Sequence, residues 1–115
     1  MPTTKPRTTG DDMFRLLREG CVQEFNAKKT RGEKADLTNC DLRNLDLRGM
    51  EVDGIDFSGS YFRQADLRGI DFRQARLEGA SINAAKISGT YFPEELSPEE
   101  ITLSLLHGTR MRYRK

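Results

Sequence analysis

A large apolar residue recurs at every fifth position between residues 35 and 92, so that the chain reads as twelve consecutive blocks of five. The positions on either side of each apolar centre are mostly charged or polar. A fixed internal period of this kind dictates the architecture of the region that carries it. The expected structural core consists of the twelve centres: Leu37, Leu42, Leu47, Val52, Phe57, Phe62, Leu67, Phe72, Leu77, Ile82, Ile87 and Phe92.

The five-residue period is incompatible with an α-helix, because it advances each apolar residue by about 500°, or about 140° beyond a full turn. It also differs from the strict alternation of a half-buried strand. Glycine or asparagine closes most blocks, as at Asn44 and Gly49, and both residue types tolerate the left-handed conformation that a corner needs. The pattern therefore predicts a chain that turns at every block and coils around an apolar core.

A helix is predicted before the repeats, because apolar residues there are spaced by three or four positions. They are Phe14, Leu17, Cys21 and Phe25. Asp11 and Asp12 are candidate N-caps of a helix that begins near Met13, and Gly32 is its expected end. Gly20 interrupts the pattern, which leaves open a division into two short helices.

A second helix is predicted after the repeats. Ser97 precedes Pro98 and stands three residues before Glu100, which indicates a capping box at the start of a helix that stops at Gly108. The basic segment that follows is expected to be mobile. Three apolar residues are expected to cover the last repeats: Leu96, Ile101 and Leu105.

Length and composition limit the remaining possibilities. The 115 residues form one domain by length, and the net charge of +1 gives no strong overall field toward nucleic acid or an anionic membrane. There is no apolar run for a transmembrane helix and no secretory signal in the first ten residues, so we expect a cytoplasmic protein with Cys21 and Cys40 as free thiols. The expected parts are a disordered lead-in, an N-terminal capping helix, the repeats, and a C-terminal helix with a basic tail: 1–10, 11–34, 35–93 and 94–115.

The blocks resemble those of the pentapeptide-repeat family, whose pattern is A(D/N)LxG. Residues 65–69 read ADLRG and match it outright, and residues 35–39 and 40–44 match it closely. The resemblance implies an all-β solenoid, a right-handed, four-sided parallel β-helix with four blocks per coil and three coils in all. It also implies a capping helix in which Phe25 and Asn26 take the place of a Trp-Asn pair.

In such a coil, residues 20 apart lie one above another, and the first position of each block also points inward. The family prefers a small residue at that first position. Four blocks depart from this preference, with Leu45, Met50, Ile55 and Ile70. We therefore expect the coil to widen locally near the first and second coils. Its two exposed ends need capping, which the two helices are expected to provide.

The sequence carries no arrangement typical of a catalytic or metal site. His107 is the only histidine, and the glycines recur as corners rather than in a phosphate-binding loop. We therefore predict that the chain is not an enzyme and has no catalytic residue, metal or cofactor. The resemblance favours a non-catalytic scaffold of the bacterial cytoplasm, which binds a protein partner that the sequence does not identify.

Two groups of residues are candidates for interaction. Stacking is expected to bring Arg43 beside Arg63, and Arg48 beside Arg68, which would form an anion-binding corner. The alternative, which we favour, is that Asp–Arg pairs two residues apart keep the surface soluble. The second group, expected to face away from the last coil as the seam of a homodimer, comprises Leu103, Leu106 and Tyr113.

A DNA- or topoisomerase-associated regulator is the alternative function, because some members of the family mimic DNA. Three short coils and a net charge of −2 over residues 35–92 disfavour it. The basic tail offers only weak, salt-sensitive contact with nucleic acid or lipid. Its cations are Arg110, Arg112, Arg114 and Lys115. Nucleic acid is therefore not favoured as a partner, and a membrane is not expected.

Overall fold

The computed structural model describes residues 12–114. Three helices lie in this part of the chain: α1 at Asp12–Arg18, α2 at Val22–Thr30 and α3 at Pro98–His107. Between α2 and α3, the described residues form no extended strand, and a turn follows every short extended step. The prediction of an all-β solenoid was therefore too strong, because each step is too short for more than single-residue β-bridges.

The bridges are parallel and join residues 20 apart, which is four blocks. They are Asp41–Tyr61, Asp46–Asp66, Asp56–Arg76, Tyr61–Ser81, Asp66–Lys86 and Asp71–Tyr91. The Leu42 N–H donates to the Tyr61 carbonyl at 2.9 Å, and the Tyr61 N–H donates to the Cys40 carbonyl at 3.0 Å. The chain therefore coils with 20 residues per turn, and we number the sides of the coil one to four in the order of the blocks, beginning with residues 35–39.

The apolar centres fill the interior of the coil. All those from Leu37 to Ile82 are buried, whereas Ile87 and Phe92 in the last coil are partly buried and pack against them. The rings of Phe57, Phe62 and Phe72 form a cluster with centroids 5.5 to 6.2 Å apart. Small first-position residues complete the core, and four of them are fully buried: Cys40, Ser60, Ala65 and Ala80.

The first and second coils are incompletely joined. In the described chain, no bridge connects residue 36 to 56 or residue 51 to 71. On side four the Gly54 N–H donates to the Gln74 carbonyl, which is 20 residues ahead. On side two the Asn44 N–H donates to the Arg63 carbonyl, which is 19 residues ahead. Large first-position residues lie at this seam: Met50, Ile55 and Ile70, all buried. The irregular register thus coincides with the place where bulky side chains predict a wider coil.

The N-terminal cap consists of two helices rather than one. Gly20, with φ of +77°, separates α1 from α2. Cys21 was predicted within one continuous apolar face, but it lies half-buried at the start of α2. The apolar residues that the cap buries are Met13, Phe14, Leu17, Val22 and Phe25. The candidate N-cap Asp11 and the lead-in 1–10 lie outside the described residues.

Asn26 connects α2 to the lower edge of the first coil. Its Nδ2 donates to the Gly49 carbonyl at 2.9 Å, and its Oδ1 accepts from the Glu51 N–H at 2.8 Å. One amide side chain therefore satisfies a donor and an acceptor that have no coil beneath them. This contact gives a physical role to the residue that the resemblance singled out beside Phe25.

The C-terminal helix begins at the predicted cap, but the capping box is only half formed. Ser97 Oγ accepts from the Glu100 N–H at 3.2 Å, and Gly108 ends α3 with φ of +75°. The Glu100 carboxylate binds Arg112 instead, accepting from its backbone N–H at 2.9 Å and its guanidinium at 3.0 Å. The acidic residue therefore ties down the following segment rather than the start of its own helix.

The segment after α3 is not a mobile tail. Met111 is fully buried, its carbonyl accepts from the Gly79 N–H at 2.7 Å, and its N–H donates to the Ala80 carbonyl at 2.9 Å. The Arg114 N–H donates to the Glu95 carbonyl at 2.9 Å. The prediction failed because the upper edge of the last coil has backbone groups that need partners.

Candidate interaction surfaces

Aspartate–arginine pairs organise the outer surface of the coil. Asp66 Oδ1 accepts from the backbone N–H of Arg68 at 3.2 Å and from its Nε at 2.9 Å, while Oδ2 accepts from Nη2 at 2.6 Å. One carboxylate thus supports the turn and holds the guanidinium in a two-pronged contact. The same geometry occurs in three other blocks: Asp41–Arg43, Asp46–Arg48 and Asp71–Arg73.

These contacts keep both partners charged. The hydrogen bond from Arg68 is the main reason that the pKa of Asp66 falls to about 2, and Arg73 lowers the pKa of Asp71 to about 2 in the same way. The Arg48 Nε also lies 3.4 Å from Asp66 Oδ2, which links two coils on side three. Neutralised pairs of this kind contribute little net field to the surface.

The predicted anion-binding corner is only partly present. Hydrogen bonding of the Asn44 N–H to the Arg63 carbonyl places Arg43 and Arg63 in adjacent coils on side two. Arg48 and Arg68 are adjacent on side three, but each is held by its own aspartate. Arg63 differs from the other three, since Tyr61 occupies the position where the aspartate would stand, and no ion pair involves Arg63 within residues 12–114.

Two further arginines join side two at its ends. The guanidinium of Arg110 lies 4.9 Å from the centre of the Tyr61 ring, donates to the Tyr61 hydroxyl, and reaches the Gly79 carbonyl at 3.2 Å. The Arg18 guanidinium donates to the Asp41 carbonyl at 3.5 Å. Sequence reasoning missed Arg110 because it assigned the residue to a solvated tail. A tyrosine in the usual aspartate position was the available signal.

An exposed apolar patch lies on α3. The exposed fractions are 41% for Leu103 and 64% for Leu106. Tyr113 does not belong to this patch, and its prediction as part of the same seam was wrong. Its hydroxyl accepts from the Leu77 N–H at 2.8 Å, and Arg76 lies 5.3 Å above its ring, so Tyr113 packs on side one of the last coil.

The remaining chemistry of the described chain is sparse. His107 is exposed at the end of α3. No group of three or more His, Cys, Asp or Glu side chains is placed to hold a metal ion within residues 12–114. Over the same residues, no helix combines the length and apolar character needed to cross a membrane.

Comparison with known proteins yields one match. A family model described as pentapeptide repeats matches residues 55–92 in eight copies. No curated protein and no solved structure matches the chain. The matched segment begins at the second coil, so the first coil and both caps lie outside it.

Proposed function

Because a model of pentapeptide repeats matches residues 55–92 in eight copies, we propose that this chain belongs to the pentapeptide-repeat family and is a non-catalytic scaffold that binds a protein partner. The proposal includes the right-handed, four-sided course that the family implies for the coil. It also includes a bacterial cytoplasmic location, in which the two free cysteines remain reduced. The partner is a protein that docks on a side or an end of the coil.

The observation that supports a binding role is the fixed geometry of the surface arginines. Each aspartate accepts two hydrogen bonds from the guanidinium of its arginine, as Asp66 does from Arg68. The backbone that carries this pair is bridged to the next coil. Immobilising a free arginine on binding costs about 0.5–1.5 kcal/mol of side-chain entropy. Arginines that are already held avoid most of that cost, so the surface is prepared for a rigid contact.

Capture of partners from the source organism tests the scaffold proposal. The immobilised chain should retain a specific protein at physiological salt, and two surface variants should divide the candidate surfaces. Arg63→Glu changes side two, and Leu106→Glu changes the end. Deletion of the C-terminal segment is unsuitable, because it would uncover the last coil. If the wild-type chain retains nothing beyond an unrelated bait, the scaffold proposal fails.

A homodimer through α3 is part of the same proposal. Leu103 and Leu106 are exposed on one short helix, and a second copy would remove both side chains from water. Sedimentation should then give a dimer mass for the wild type and a monomer mass for Leu106→Glu. A wild-type monomer at about 100 µM, a concentration at which a contact of about 5.5 kcal/mol would be half formed, contradicts the dimer.

Regulation of a topoisomerase by DNA mimicry is the weaker alternative. The acidic columns that would imitate phosphates include Asp46, Asp66 and Asp71, and each of these carboxylates is neutralised by an arginine. Titration with labelled duplex DNA and with a type II topoisomerase separates the alternatives. Inhibition of the topoisomerase at submicromolar protein would favour mimicry over the scaffold.

A further inference from the structure

We infer that side two, extended by Arg18 and Arg110, is the partner-binding surface and that it receives an acidic segment of the partner protein. This inference rests on the scaffold proposal and names the chemistry of its partner. We use the term arginine strip for Arg18, Arg43, Arg63 and Arg110. The strip runs from the N-terminal cap, across two coils, to the C-terminal segment.

Charge is distributed unevenly around the coil, although the chain as a whole has a net charge of +1. Asp41 is the only carboxylate among the outward positions of side two, which are 41, 43, 61, 63, 81 and 83. Side four has the opposite balance, because it carries Glu51, Asp53 and Asp71 against Arg73 alone. An acidic segment is therefore attracted to one side of the molecule and repelled from another.

The arginine strip combines side chains that are held by contacts within the protein with one exposed side chain, Arg63, that is not held. Arg43 is held by Asp41, and Arg110 is held against the ring of Tyr61. Arg63 is exposed one coil above Arg43 and two residues after Tyr61, and its guanidinium makes no ion pair in the described structure. A free guanidinium can donate two hydrogen bonds to one carboxylate, so Arg63 is the expected anchor. The fixed neighbours add attraction with little further loss of side-chain entropy.

The strip fits an acidic peptide better than a nucleic acid. Sequence-independent binding to nucleic acid needs many phosphate contacts, and four arginines beside one aspartate, Asp41, would support only weak, strongly salt-dependent binding. Single strands gain further affinity by stacking bases on aromatic rings. Tyr61, the outward-facing aromatic residue of side two, already has Arg110 over its ring. A base would have to displace Arg110 to stack on that face of the ring, whereas a carboxylate can accept hydrogen bonds from the arginines.

The test is the binding of a fluorescein-labelled peptide of alternating glutamate and serine, in which an extended chain directs the carboxylates to one side. The full chain should bind it saturably at low salt, and binding should weaken as salt rises. Arg63→Glu should weaken binding by about tenfold or more. The matched control is Arg73→Glu, which makes the same charge change at the same block position on side four. Its effect should stay below about twofold, because that position is remote and solvent-screened.

Three results would overturn the inference: no saturable peptide binding by the wild type, equal weakening in the two variants, or tighter binding of a single-stranded oligonucleotide of equal charge. Arg63→Gln guards against a misfolded variant, since it should weaken binding while the urea midpoint stays unchanged. Partner capture then distinguishes the two proposals. If Arg63→Glu captures the partner as the wild type does, the scaffold proposal survives and the assignment to side two fails.

Discussion

The two ends of the coil are closed by different kinds of contact. The N-terminal cap lays apolar side chains over the first coil, and Leu17 and Phe25 are completely buried there. The C-terminal cap buries Met111 but also a serine, Ser104, whose Oγ accepts from the Ile82 N–H at 2.9 Å. One end is therefore closed mainly by burial of apolar surface and the other largely by hydrogen bonds.

The direction of the backbone accounts for much of this difference. N–H groups at the third and fifth positions of a block donate to the next coil, as Leu42 donates to Tyr61. The last coil has no successor, so its donors on sides one and two need other acceptors. Leu77, Gly79, Ile82 and Ala84 find them in the Tyr113 hydroxyl, the Met111 carbonyl, Ser104 Oγ and the Leu105 carbonyl.

Substitutions in the middle of the core should cause the largest losses of stability, and the losses at both ends are compared with them. Phe57→Ala should lower the free energy of unfolding by about 3–5 kcal/mol, because it removes a fully buried ring from the aromatic cluster and leaves a cavity. Urea denaturation measures the loss. The exposed Glu24→Ala is the control and should cost less than about 0.5 kcal/mol. A loss at Phe57 below about 1 kcal/mol would contradict a continuous packed core.

The apolar end should be the more sensitive of the two ends to truncation of a side chain. Phe25→Ala should cost about 3 kcal/mol, since Phe25 is fully buried between α2 and the coil. Phe25→Leu, which preserves most of the apolar volume, should cost less than about 1.5 kcal/mol. Equal losses for the two variants, or a loss below that of Ser104→Ala, would show that burial does not dominate this end.

The hydrogen-bonded end should respond to the loss of one oxygen atom. Ser104→Ala should cost about 1–3 kcal/mol, because the buried Ile82 N–H loses its acceptor. Hydrogen exchange should then quicken at Ile82 and at its neighbour Ala84. Thr102→Ala, on the exposed surface of the same helix, is the matched control and should change stability by less than about 0.5 kcal/mol. Unchanged exchange at Ile82 would argue that water replaces the hydroxyl without cost.

Acid should loosen the C-terminal end before the N-terminal end. Hydrogen bonds from Arg112 hold the pKa of Glu100 below its usual range. Its contribution to stability is therefore complete above the unfolded pKa of about 4.3 and is lost as the pH falls through the lower folded value. Protection of the Leu77 amide from hydrogen exchange should fall between neutral pH and about pH 3. Protection of the Glu51 amide, which donates to Asn26 Oδ1, should fall less.

The Glu100→Gln variant is the control for this pH prediction. It removes the titrating group, so the relative protection of the two amides should become nearly independent of pH over that range. If the difference between Leu77 and Glu51 persists unchanged in Glu100→Gln, the contact with Arg112 is not what holds the C-terminal segment.

The regular part of the molecule was predictable from local pattern. The inward apolar positions and the approximate bounds of α3 follow from spacing, because each block faces a similar environment. The number of residues per coil was expected from the family resemblance, and the bridges between residues 20 apart agree with it. The half-formed capping box was not predictable in the same way. Whether Glu100 turns back to its own helix or forward to Arg112 depends on where the segment after Gly108 lies, and no local spacing specifies that position.

Composition also misled at the C-terminal segment. Residues 109–114 contain three arginines and read as a solvated tail, but Met111 is buried and Arg110 packs on the Tyr61 ring. Tyr113 was assigned to an exposed seam with Leu103 and Leu106, whereas its hydroxyl accepts a hydrogen bond from the Leu77 N–H. These contacts span 31 to 49 residues of sequence, so they depend on how the ends of the coil meet the cap.

The sequence by itself determined that this chain coils, since a five-residue apolar period has few ways to bury every centre at once. It also determined which positions face outward, including the aspartates two residues before arginines. Only the tertiary structure decided how each end is closed and that Arg110 packs against Tyr61 on side two. Those outcomes depend on the supply of hydrogen-bond partners in three dimensions, where Tyr61 replaces an aspartate on side two and the segment after α3 replaces a missing fourth coil.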